Sequence, residues 1–206
     1  MMLNRNDTKG VIRAVRAVEE VVDEIVVVDS SSNACHLELQ TALADSQAKV
    51  FRALPLGHPD PLAGYGLSKV SSERVLYLDS DEFPSKELVR DLRRLTRFEG
   101  YFVPRREGVL GYTSQIRLFK RDATAFTGRI HEQPTIDGRV GKLNTSHCIL
   151  HLGMGSRIDE SRRYFRRAIQ AYSEIEGYER PPPSFRLAEG DLNSIASSLI
   201  NLLGRR

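Results

Sequence analysis

The sequence predicts an α/β fold, a mostly parallel sheet flanked by helices, with a mixed or antiparallel β second half and C-terminal helices. Three observations carry this. Ile25-Val26-Val27-Val28 and Val75-Leu76-Tyr77-Leu78 are continuous apolar runs that suit inner strands covered on both faces, and each ends on polar residues, Asp29-Ser30-Ser31-Ser32 and Asp79-Ser80-Asp81-Glu82. Segments with helical spacing alternate with them, as in a doubly wound sheet. After Gly100 the alternation stops, and short strands separated by glycine and aspartate turns take over.

Met1 to Asn4 stand where a first strand belongs and read as no more than its tail, so that strand is expected to be nearly absent. Residues 8–22 place Val11, Ile12, Val15, Val18 and Val22 on one helical stripe, with Asp7 or Thr8 as the cap. A strand at Ile25 to Val28, a helix over about 34–47 and a strand around Lys49 to Ala53 follow. The run from Leu54 to Gly64 carries Pro55, Pro59 and Pro61 and reads as a loop. A short helix over about 65–72 leads to the Val75 strand, and Pro84 suits the first position of a helix running to about Arg97. Tyr101 to Arg105, Tyr112 to Lys120, Gly128 to His131 and His147 to Leu152 read as short strands, with Asp137-Gly138 as a hairpin-type dipeptide.

Arg157 to Glu176 forms an amphipathic pattern around Ile158, Tyr164, Phe165, Ala168, Ile169 and Tyr172, which Pro181-Pro182-Pro183 must end. A last helix is expected from Asp191 to about Leu203. The chain is thus read as a domain over 1–155 and a helical appendage over 156–206.

Composition bounds the partners. The chain has 206 residues, 40% hydrophobic and 28% charged, and its net charge of +3 is too small to argue for nucleic acid. Arg157, Arg162, Arg163, Arg166 and Arg167 crowd one segment. A solvated helix packed on the domain is the first reading of them, and peripheral attraction to anionic lipid headgroups the second. Nucleic acid is set aside because no reading motif accompanies the charge. Cys35 and Cys148 supply neither a disulfide framework nor a zinc spacing, which fits a reducing cytoplasm. No stretch approaches the roughly 20 apolar residues that span a bilayer, and no signal peptide is visible. Oligomeric state is not legible.

The chemistry concentrates at the exit of the Val75 run. Ligands of open α/β sheets bind outside the carboxyl ends of the strands. Residues two apart on extended backbone point the same way, so Asp79 and Asp81 can both reach one hard cation. Such a cation commonly completes its shell with water and substrate phosphate oxygens, which makes this a metal–diphosphate site. A merely solvated turn is the competing reading; the apolar run before the acids weighs against it. His147 and His151 share one strand face, and an imidazole there suits either a metal or a hydrogen-bonded rim. Asp29 either caps the next helix or contacts a nucleoside. Arg105, Arg117 and Arg129 either balance diphosphate or acceptor charge or are ordinary strand arginines.

Five segments in order resemble glycosyltransferase family 2, of GT-A fold, and in particular its bacterial and archaeal lipopolysaccharide-core and glycan-assembly branch. They are Asp23 to Ser30, Val75 to Glu82, Ile116 to Phe119, Gly128 to Glu132, and His151-Leu152, and the likeness spans about 1–155. It implies an enzyme that moves a sugar from a nucleotide-sugar donor to the hydroxyl of a glycan or lipid-linked acceptor at the cytoplasmic membrane face, with Mg²⁺ or Mn²⁺, and with inversion. Residue by residue, Asp29 resembles the nucleoside carboxylate, and Asp79 and Asp81 the DxD pair, Asp81 on the metal and Asp79 nearer the ribose. Glu132 resembles the general base and His151 a late metal ligand; His131, beside Glu132, is either structural or an acceptor contact. The sequence departs from the family in its short first strand and in Ala63-Gly64, where an Arg-Asn pair is common. Those departures keep open a degenerate, non-catalytic nucleotide- or glycan-binding relative. A sugar nucleotidyltransferase is a third reading, but Asn4 to Gly10 lacks a glycine-rich, basic phosphate loop.

Overall fold

The computed structural model describes residues 1–53, 62–107, 111–127 and 133–151, all within one structural unit, Met1–Ser161. The elements in chain order are β1 (Met2–Asn4), α1 (Thr8–Val18), β2 (Ile25–Asp29), α2 (Asn33–Ala42), β3 (Ala48–Arg52), α3 (Leu62–Lys69), β4 (Arg74–Leu76), β5 (Leu78–Asp79), β6 (Glu82–Pro84) and α4 (Lys86–Asp91). Then come β7 (Gly100–Arg106), β8 (Tyr112–Lys120), β9 (Thr124–Thr127), β10 (Gln133–Ile136), β11 (Val140–Lys142) and β12 (Ile149–His151). The fold class expected from the sequence is observed: a parallel sheet flanked by helices, joined to mixed β-structure. The expected appendage over 156–206, the Gly128 to His131 strand, and Glu132 lie outside the described residues.

The parallel sheet runs β3-β2-β1-β5. Successive residues of β1 and β2 serve opposite faces. Met2, Ile25 and Val27 pack with Val11, Val15 and Leu39 from α1 and α2, whereas Leu3, Val26 and Val28 pack with Leu62 and Ala63 of α3 and with Phe119. This is the period-two division of a sheet covered on both sides. The first strand, expected to be nearly absent, is three fully buried residues at an inner position, paired parallel with β2 and β5.

The Val75 run is not one inner strand. β4 pairs antiparallel with β8 in the second sheet, and β5 pairs parallel with β1 in the first. The partner changes at Tyr77: its N–H donates to the Arg117 carbonyl at 2.7 Å, and the Leu78 N–H to the Met1 carbonyl at 3.1 Å. Tyr77 is buried because both sheets cover it, although β4 and β5 are edge strands.

Other boundaries shift for local reasons. α1 stops at Val18 because the Gln47 side-chain amide takes the carbonyls of Glu19 and Val22. α2 stops at Ala42, where Leu43 to Ser46 turn the chain into β3. α3 starts earlier than expected, at Leu62. Pro84 does not open a helix. It ends edge strand β6 opposite Ile149, a position where a missing N–H is tolerated, and Ser85 caps α4 by accepting from the Leu88 N–H at 3.2 Å. Asp137-Gly138 is not a hairpin turn either. β10 pairs back on β9, while β11 runs parallel to β7, so Gly138, with φ of +128°, turns the chain from one sheet to another.

The second sheet has the order β4-β8-β7-β12-β6, with β11 also on β7. β12 lies parallel to β7 and antiparallel to β6, which sets His151 opposite Glu82.

Candidate functional site

The order of the parallel sheet reverses between β1 and β5, and the crevice beyond their carboxyl ends is where such sheets hold ligands. Two polar clusters gather there, one around a single acid and one with four.

The first surrounds Asp29, which is completely buried. Its Oδ1 accepts from the Asn4 side-chain amide at 2.9 Å and the Ser31 N–H at 3.2 Å, and also from the Ser31 hydroxyl. Its Oδ2 meets His36 Nδ1 at 2.5 Å and Arg52 Nη1 at 3.5 Å. The same residues knit the loops after β1 and β2. Ser31 Oγ accepts from the Asn6 N–H, Asn6 Oδ1 from the Ser32 N–H, and Asn4 Oδ1 from the Asp7 N–H. Asn6 takes a left-handed conformation, φ +55°, a shape asparagine tolerates better than most residues.

The second group is a chain of alternating charge. Asp79 Oδ2 accepts from Arg117 Nη2 at 2.7 Å, and the same nitrogen donates to Glu82 Oε1 at 2.9 Å. Glu82 Oε1 lies 2.5 Å from Arg105 Nε, a close ion pair without hydrogen-bond alignment. Arg105 Nη1 donates to Glu107 Oε1 at 2.7 Å. Glu107 Oε2 meets His151 Nδ1 at 2.6 Å, and His151 Nε2 meets Asp81 Oδ2 at 3.2 Å. Four carboxylates thus alternate with two guanidinium groups and an imidazole, and the two ends of the chain are Asp79 and Asp81. Glu82, between the two guanidinium groups, is completely buried and also accepts the Asp79 N–H at 2.9 Å. Arg117 stacks over the Tyr77 ring at 4.7 Å.

The electrostatics follow the geometry. Burial alone would lower the His151 imidazole, but its bonds to Asp81 and Glu107 outweigh burial and raise it from 6.5 to about 9. Burial would likewise raise the Asp81 and Glu107 carboxyls, yet the His151 bond holds each below its ordinary value. Burial, and then the Asp79 charge, push Glu82 upward against the pull of Arg117 and Arg105. Burial opposes the charge on Arg117, and the carboxylates of Asp79 and Glu82 more than restore it.

The predicted residues therefore separate. Asp81 and His151, 70 positions apart, are brought together. Asp79 is held by Arg117 rather than turned to the same point. Asp29 sits in its own enclosed cluster. His147 bonds to Asp91 at 3.0 Å and to Asn144, apart from His151. His131, Glu132 and Arg129 lie outside the described residues. Glu107 was not foreseen; its one signal is its place two residues after Arg105 at the end of a strand. Gly10 was not foreseen either. A Cβ there would collide with the Ser80 carbonyl oxygen, so the first turn of α1 forms the floor beneath the Asp79 to Asp81 turn.

The donor set can be tested against a divalent cation. Among the described residues no three His, Cys, Asp or Glu side chains converge on one ion position. Asp81 and His151 offer an oxygen and a nitrogen side by side, enough for an ion whose other ligands are water and phosphate oxygens. Two protein ligands fit that arrangement, and a closed structural metal site they do not make. A cavity of about 510 Å³ lies at the opposite, amino ends of the strands, lined by Val22, Ile25, Arg74, Leu76 and Leu92, and it contains none of these residues.

No protein-family model matches the chain, and no curated protein does. Solved structures do share its fold. S. aureus TarS superposes with a TM-score of 0.57 at 13% identity, over 89% of this chain and 44% of that one. Its 1–349 fragment in complex with UDP gives 0.56 at 14% identity, over 85% and 65%. HddC from Yersinia pseudotuberculosis gives 0.51 at 8% identity, over 83% and 97%. The chain spans about half to two-thirds of the TarS structures it matches. At these identities the likeness establishes the fold: the described chain has the α/β architecture that TarS and HddC share.

Proposed function

We propose that the protein is a glycosyltransferase that moves a sugar from a nucleotide-diphosphate donor to a hydroxyl of a glycan or lipid-linked acceptor. The observation that carries this reading is the meeting of Asp81 and His151 at the strand exit, 3.2 Å apart, beside the crevice of the parallel sheet. That TarS was solved with UDP on the same fold supports a nucleotide donor.

Asp81 and His151 would hold Mg²⁺ or Mn²⁺, with Asp79 toward the ribose. A divalent cation there supplies charge neutralisation for the departing nucleoside diphosphate. The protein's own residues set the stage for it. With His151 neutral, the four carboxylates exceed the two guanidinium groups by two charges, which a divalent cation balances. Arg117 and Arg105 keep Glu82 from repelling the donor, and Arg117 fixes the direction of Asp79. Glu132 is assigned the role of the base that takes the acceptor proton on the opposite face of the sugar, giving inversion, with His131 next to the acceptor.

The test is donor hydrolysis and transfer across a panel of UDP- and GDP-sugars with Mn²⁺. Asp81→Ala is expected to lower turnover by at least about 100-fold while leaving the circular dichroism spectrum unchanged. Equal turnover in wild type and variant overturns the reading. A second reading, nucleotide or glycan binding without transfer, is favoured by Ala63-Gly64, which stand where the family commonly carries an Arg-Asn pair. Saturable UDP or GDP binding with no turnover on any donor decides for it.

A further inference from the structure

Resting on the cation reading above, we propose that Glu107 is a positioning residue that presents His151 to the cation through Nε2. An imidazole has two nitrogens, and only the one without a proton can bind a metal. Which one that is depends on the hydrogen bond the other makes. Here His151 Nδ1 lies 2.6 Å from Glu107 Oε2, and Nε2 faces Asp81 at 3.2 Å. The carboxylate therefore keeps the proton on Nδ1, so that a cation entering between Asp81 and His151 would displace the Nε2 proton, and Nε2 would then offer its lone pair beside the Asp81 oxygen.

Glu107 is itself held from three directions. Its Oε1 accepts from Arg105 Nη1 at 2.7 Å and from Thr113 Oγ1 at 3.1 Å, and its N–H donates to the Gly111 carbonyl at 2.9 Å. It is 6% exposed. The sheet register explains the encounter: Arg106 of β7 is paired with Leu150 of β12, so the next residue on each parallel strand is Glu107 and His151. A glutamate that served only to anchor Arg105 would need one oxygen. This one spends its second oxygen on the ring nitrogen turned away from Asp81.

The test measures cation binding rather than turnover. Mn²⁺ binding to wild type, Glu107→Gln, Glu107→Asp and Asp81→Asn is followed by titration calorimetry and electron paramagnetic resonance, with thermal unfolding as the control for folding. Glu107→Gln keeps the shape and loses the charge; it is expected to weaken Mn²⁺ binding about 10- to 100-fold, with Glu107→Asp in between. In parallel, ¹⁵N spectra of Mg²⁺-saturated wild type are expected to show His151 protonated at Nδ1. Unweakened Mn²⁺ binding in Glu107→Gln, while Asp81→Asn loses it, overturns the role of Glu107 and leaves the cation site standing. An Nε2-protonated His151 in the wild type overturns it without any variant. Absence of saturable Mn²⁺ binding by the wild type overturns both.

Discussion

Asp29 and Asp81 both leave a strand at the carboxyl side of the fold, yet their surroundings are opposite. Asp29 is completely enclosed, and its donors come from its own neighbourhood: the end of β1, the loop after β2, His36 of α2 and the arginine of β3. Asp81 is one of the two ends of a charge chain, with 27% of its side chain exposed and His151 as its partner. An acid with every lone pair taken by the protein holds two loops in register. An acid left at the end of a network has capacity for something from outside.

That contrast makes quantitative predictions. Asp29→Ala would strand Arg52, His36 and Asn4 without their common acceptor, so chemical denaturation should show a loss of about 3 kcal/mol. A loss under about 1 kcal/mol would mean that the cluster is not structural. The next effect is one of pH. His151 is raised from 6.5 to about 9, so the folded state binds the proton more tightly than the unfolded one. In protein treated with chelator, this contribution is fully present below about pH 6.5 and is lost as pH rises through about 9. It amounts to up to about 3 kcal/mol, at roughly 1.4 kcal/mol for each tenfold gain in proton affinity. Denaturation midpoints between pH 6 and 10 should fall in wild type and change less in His151→Ala; parallel profiles would refute the assignment.

Gly10→Ala should cost about 1–2 kcal/mol, the strain of pressing a methyl on the Ser80 carbonyl less the helix preference of alanine. A variant as stable as wild type would show that the floor of the turn is soft. At pH 10, where the His151 charge is gone, Asp81→Asn should have the smallest effect on stability, under about 1 kcal/mol, because it then breaks one partly exposed contact. A larger loss would place Asp81 with Asp29 among the structural acids.

What could be read from the sequence divides along a physical line. In the parallel half β2 was legible as a contiguous apolar run and α1 as a periodic stripe, and both appear where those patterns place them, although α1 ends at Val18. The acids were legible as a group because they are adjacent in the chain. Their partners were harder to foresee. Arg105, Glu107, Arg117 and His151 come from three strands, and register decides which of them meet. Local pattern carries no register between distant strands, so Asp79 and Asp81 read as one pair although Arg117 and His151 draw them to separate ends. Pro84 misled for a related reason: it suits a helix start by propensity, and only the pairing of β6 with β12 makes it the end of a strand.

The handover at Tyr77 has a mechanical side. One peptide segment belongs to both hydrogen-bonded ladders, with Arg117 gripping it from one and Met1 from the other. The two sheets are geared together at that tooth, and the acidic turn begins two residues downstream. Any shear of one ladder against the other must pass through the backbone of Leu78 and Asp79 and re-aim the carboxylates beyond. The separation of Asp79 and Asp81 is thus a gauge of how the two halves of the molecule are seated.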